Sequence, residues 1–128
     1  MRASMAVVAV CLGLIGAVRA QGVDALSGVW HGQLPAGGVM TLVRVKLEGG
    51  GSGTWQQTPR GKPLQPNACL GKEHPLAVTE TGPGTFRFHV QASKTLSGCQ
   101  DGQMMLTLVE GKRLEGRFAD GRTLVLER

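Results

Sequence analysis

TFRFHVQ, Thr85 to Gln91, alternates apolar and polar residues without a break. A period of two puts Phe86, Phe88 and Val90 on one face and Arg87, His89 and Gln91 on the other, the pattern of a strand buried on one side only. His89 is therefore expected to face solvent. Working outward from this stretch, the same alternation recurs in short runs. VMTLVRVKLE places Val39, Thr41, Val43, Val45 and Leu47 on one face, with Met40 and Leu42 blurring the contrast at its start. GVWHGQL, from Gly28 to Leu34, sets Trp30 opposite His31, and SGTWQQT carries Trp55 among polar neighbours. PLAVTET, QMMLTLVE, RLEGRFA and RTLVLE complete a set of about eight predicted strands.

Glycine turns separate these runs. PAGG, EGGGSG, GPG, EGK and ADGR recur roughly every ten residues, the spacing of an all-β sandwich or barrel. Asp120-Gly121 is a two-residue hairpin signal of type I′, in which both central residues take positive φ. Consecutive hairpins make an up-and-down meander, and eight antiparallel strands can close into a barrel that exposes no edge. Fold class is thus all-β, a small up-and-down barrel with one disulfide.

The chain opens MRASMAVVAVCLGLIGAVRA: a charged Arg2, an apolar run from Met5 to Val18, and the small residues Val18 and Ala20. This is the anatomy of a signal peptide spanning residues 1–20. The run falls short of the ~20 residues that a membrane span needs. Export to a bacterial periplasm or beyond is expected, with residues 21–128 as one domain. Cys69 and Cys99 then remain in a chain bound for an oxidising compartment, and a disulfide is the economical reading. It would constrain the unfolded chain by ~3.5 kcal/mol. A metal site is the competing reading, but neither C-x-x-C nor H-x-x-x-H occurs.

GVW at the start of the first strand resembles the G-x-W pattern of the calycins, the superfamily of lipocalins, avidins and small exported bacterial metalloprotease inhibitors. The resemblance implies that Trp30 closes one barrel end beneath a basic residue from a late strand, for which Arg117 and Arg122 are the candidates. LSGVW and NACL are similar to the protease inhibitors, which also match in size, export and a single disulfide. The early-strand cysteine of those inhibitors is missing. Avidin's biotin pocket does not carry over either, since the chain has no tyrosine.

Catalytic groupings are not expected. Ser52 lies in GGGSG, but no predicted helix follows it to make a nucleophile elbow. Glu110, Glu115 and Asp120 flank hairpin turns, where solvated charges are the simple reading. His31, His74 and His89 are too scattered for a metal triad, so no enzyme, metal or cofactor is assigned. Setting aside Arg2 and Arg19 from the chain's 14 Lys and Arg leaves 12 against 9 acidic residues, too small an excess for a nucleic-acid binder.

Function is expected instead from TPRGKPLQPNACLGKEHP, a long, proline-rich, basic loop that a disulfide would pin. The candidate binding residues are Arg60, Lys62 and Leu64, with Trp55 as an aromatic anchor. The expected partner is a small apolar or anionic ligand, or an exported protein. Two alternatives stand beside this reading: an inhibitor of a secreted enzyme such as a metalloprotease, and an envelope structural protein without a ligand. Whether the interior is open or filled decides between ligand and no ligand, because eight strands lie near the limit of complete filling.

Overall fold

A computed structural model describes residues 22–118 and 120–128. The expected signal peptide lies outside the described residues. Eight strands form a closed antiparallel barrel in chain order: β1 Gly28–Ala36, β2 Val39–Leu47, β3 Ser52–Pro59, β4 Glu73–Gly82, β5 Thr85–Val90, β6 Gly102–Val109, β7 Arg113–Arg117 and β8 Thr123–Glu127. Each of the eight runs picked out by alternation is a strand. The period-two pattern survives in the burial: Thr41, Val43, Val45 and Leu47 are inside while Met40, Leu42, Arg44 and Lys46 are outside. Phe86, Phe88 and Val90 likewise point in.

The ring closes where β8 meets β1, through His31 opposite Glu127 and Gly32 opposite Leu126. Close approach there explains Gly32. A Cβ at that position would run into the Val125 carbonyl oxygen.

One barrel end is plugged. A 3-10 turn, Val23–Leu26, precedes β1 and tucks Leu26 into the core. The Trp30 indole is fully buried and donates from Nε1 to the Leu26 carbonyl at 2.8 Å. The cation above it comes from Arg128, just after β8, whose guanidinium carbon lies 4.3 Å from the ring centroid. This corrects the expectation for Arg117 and Arg122: Arg117 is exposed, and Arg122 stacks on Phe118 instead. Both arginines lie toward the opposite end of the barrel, because β7 runs away from the plug and β8 returns to it. The Arg128 guanidinium also donates to the carbonyls of Ser27, Ala25 and Gly111. One side chain therefore joins the segment before β1, the β6–β7 turn and the end of β8.

Turn geometry differs from expectation at ADGR. Gly121 takes φ 93°, and the paired residues that flank the turn are Phe118 and Arg122, one position wider than a two-residue hairpin allows. Phe118 N–H donates to Arg122 O and Gly121 N–H to Phe118 O, which makes a longer turn ending in a left-handed glycine. The side chain of Asp120 explains the choice, because it accepts from the Arg122 N–H and Nε and so holds the wider turn. Type I′ geometry belongs to Gly37-Gly38, at φ 63° and 82°, between the paired ends Ala36 and Val39.

The disulfide joins Cys69 to Cys99, with Cα atoms 5.8 Å apart. Residues 21–128 produced under oxidising conditions are expected to show no reactive thiol by mass spectrometry after alkylation, and reduction should lower their stability by ~3.5 kcal/mol. In urea denaturation, Trp30→Ala should cost ~3 kcal/mol or more. Arg128→Ala should cost ~1 kcal/mol or more. Because the two side chains touch, their costs in the double variant should fall short of additive.

Candidate functional site

The other barrel end is open. β1, β3, β5 and β7 lead to it, so four connections surround it: the tight β1–β2 turn, the β3–β4 loop of residues 60–72, the β5–β6 loop of residues 91–101 and the β7–β8 turn. Connections at the plugged end are short. The lower interior is filled by Trp30, Phe86, Phe88, Leu106, Leu114 and Leu126, all buried. Above them a cavity of about 490 Å³ opens to the rim. That volume lies within the range of small-molecule sites.

Inward positions near the strand ends line this mouth, including Leu34, Trp55, Gln57, His74, Val90 and Met104. Trp55 and His74 stand opposite each other across β3 and β4. Both are buried. A polar chain crosses the wall: Trp55 Nε1 donates to Gln57 Oε1 at 3.1 Å, Gln57 Nε2 donates to Thr41 Oγ1 at 3.0 Å, and the Thr41 hydroxyl donates to the Leu34 carbonyl. His74 is tied to the loop above it, with Nε2 2.8 Å from the Cys69 carbonyl oxygen. Its Nδ1 is buried without a hydrogen-bond partner.

The β3–β4 loop holds its shape by isolated bonds, two of them to the β1–β2 hairpin, rather than by a ladder. Arg60 N–H donates to Met40 O, Leu64 N–H to Gly37 O, and the Asn67 side chain accepts from Cys69 N–H. Its disulfide fastens it to the β5–β6 loop across the rim. That second loop turns through a 3-10 segment, Ala92–Lys94, and Asp101 accepts from Ser93 N–H at 2.9 Å. Arg122 spans the rim on the far side, donating to Asp120 Oδ2 at 2.8 Å and to Pro35 O at 2.7 Å.

Of the four residues expected to bind, the structure brings Trp55 into the mouth. Arg60, Lys62 and Leu64 lie outside its lining and are exposed, Leu64 at 81%. His89, expected in solvent, is half-buried with Nε2 3.9 Å from Asp101 Oδ2. His74, Gln57 and Met104 were passed over as site residues. Parity carried the signal for His74: β4 begins at Glu73 rather than Pro75, and His74 shares the inward face of Leu76 and Val78.

Both rim aspartates have pKa values below the ordinary 3.8, Asp101 mainly through the Ser93 N–H and Asp120 mainly through the Arg122 N–H. A lowered folded pKa means that these bonds contribute fully above 3.8 and are lost as pH falls through the folded values. In an acid titration followed by NMR, the Ser93 and Arg122 amides should shift with midpoints below 3.8. Asp101→Asn should abolish the Ser93 midpoint and leave that of Arg122.

No family model matches this sequence, and no curated protein matches it either. Among solved structures, the chain is similar to a redesigned beta barrel, with 17% sequence identity, coverage of 84% of this chain and 94% of that one, and a TM-score of 0.49.

Proposed function

We propose that this chain is an exported, non-enzymatic β-barrel binding protein that takes a small ligand into its open mouth, with the surrounding loops as the rim. One observation carries the reading: the same barrel is plugged at one end and carries at the other an open-mouthed cavity between the rim loops, with Trp55, His74 and Met104 at its floor. Large apolar side chains close an interior readily, and filling the cavity would add contacts at every wall position. Trp30 beneath Arg128 supports the calycin resemblance, since it places a basic residue from the end of the chain over the tryptophan of the first strand.

A protein partner is the second reading, favoured by Leu64. An apolar side chain left 81% exposed, on a loop fixed by its own N–H to Gly37 O and flanked by Arg60 and Lys62, has the character of an interface anchor. An inhibitor of a secreted enzyme would use this loop.

The neutral dye N-phenyl-1-naphthylamine separates the two readings. Binding at one site per chain, with energy transfer from tryptophan, is expected. Ala36→Phe, at the rim of the cavity, should weaken it at least about tenfold, equal to ~1.4 kcal/mol. Arg60→Ala with Lys62→Ala should leave dye binding and thermal stability unchanged. Absence of dye binding, with capture of an exported protein that the double variant abolishes, would replace the mouth reading with the loop reading.

A further inference from the structure

We infer that the ligand of the mouth is a neutral molecule with an apolar body and one hydrogen-bond donor, a hydroxyl or N–H, that His74 Nδ1 accepts. This rests on the mouth-binding reading above. The starting point is the hydrogen-bond inventory of the wall. Trp55 Nε1 and the Thr41 hydroxyl are spent on Gln57 Oε1 and the Leu34 carbonyl, and Gln57 uses one of its two amide N–H groups on Thr41. His74 faces a carbonyl oxygen through Nε2, and a carbonyl only accepts, so Nε2 carries the proton. In the neutral ring Nδ1 then presents a bare lone pair. That nitrogen is buried and has no partner, in a side chain that is 4% exposed and lines the cavity. Buried polar atoms are seldom left unpaired, and those that are call for an explanation. A donor brought by the ligand supplies one. Nδ1 is covered in this structure, so the inference requires that a wall side chain turn aside when the ligand enters.

Neutrality follows from the charges present. Arg122 at the rim is already held by Asp120 and the Pro35 carbonyl. Asp101 accepts from Ser93 N–H and lies beside His89. Neither offers a free counter-charge to an ion in the wall, and an ion buried without one is strongly disfavoured. The apolar body is set by Leu34, Val90, Met104 and the Trp55 ring on the inner wall, while Asn67, Gln100, Asp101 and Arg122 form a polar rim above them. An anionic ligand, one of the partners expected from sequence, does not fit this inventory.

Two probes matched in shape decide the matter: 1-naphthol and 1-methoxynaphthalene, titrated into the folded protein by calorimetry at pH 8. Hydrophobic transfer alone favours the ether, because the hydroxyl is better solvated by water. If Nδ1 accepts from the ligand, the naphthol binds at least about tenfold more tightly instead. His74→Gln, which keeps an N–H for the Cys69 carbonyl, should remove that preference and retain binding of the ether. A second measurement needs no variant: the ¹⁵N resonance of His74 Nδ1 should move upfield on adding naphthol and stay still on adding the ether. Equal affinities with an unmoved resonance would overturn the donor inference and leave mouth binding intact. Binding of neither probe would overturn both.

Discussion

The contact of Arg128 with Trp30 is the constraint around which the plugged end of the barrel is built. The Arg128 guanidinium covers the Trp30 ring and reaches three backbone carbonyls, at Ala25, Ser27 and Gly111. These groups come from the two ends of the described chain and from the turn between β6 and β7. Carbonyls at strand ends have no ladder partner, and a planar, five-donor cation can satisfy several at once. The same cation covers the indole face while Trp30 Nε1 is satisfied by Leu26, so the plug is sealed without an unpaired polar group. With one end sealed in this way, the layers above it can pack on Trp30, and only the far end is free to vary.

That freedom is used at the mouth. Long loops would be a liability at an end that must exclude water, and they are found at the end that stays open. The Cys69–Cys99 disulfide lies among those loops rather than in the ladder, where backbone bonding already fixes geometry. Its 30-residue separation spans β4 and β5, so it holds the rim while the strands between form their own pairings. A rigid rim loses less entropy when a partner binds. The sequence expectation of a pinned loop was sound in this respect, although the residues aimed inward are strand residues rather than the loop's cations.

Strand positions were legible because one-sided burial leaves a period of two, and β5 shows it in six residues. Trp30 was legible as a plug only through the G-x-W resemblance; alternation by itself set it opposite His31. The identity of its cation was not: Arg117, Arg122 and Arg128 look alike in sequence, and which of them reaches Trp30 depends on which end of the barrel each strand leaves its side chains. The mouth was harder still. A cavity is the absence of side-chain volume, and nothing along the chain states how neighbouring strands add up. His74 was concealed by Pro75, which suggested that β4 starts later than it does and so hid the histidine's inward parity. The hairpin at Asp120 was misjudged because side-chain acceptance of the Arg122 N–H outweighed the dipeptide's backbone preference.

The seam between β1 and β8 has a consequence for the order of assembly. Seven of the eight pairings join strands adjacent in the chain, and the eighth, β1 with β8, joins residues nearly a hundred positions apart. Contacts between sequence neighbours cost little closure entropy, while joining the two ends of the meander costs the most. The ladder at this seam is also brief, and arginine side chains bridge it at both ends, Arg128 to Ser27 O and Arg122 to Pro35 O. A curled sheet can therefore exist before the cylinder does, with two cations drawing its free edges together. By the same token, the cylinder's weakest line under thermal or mechanical stress runs along β1 and β8, and the two arginines are its clasps.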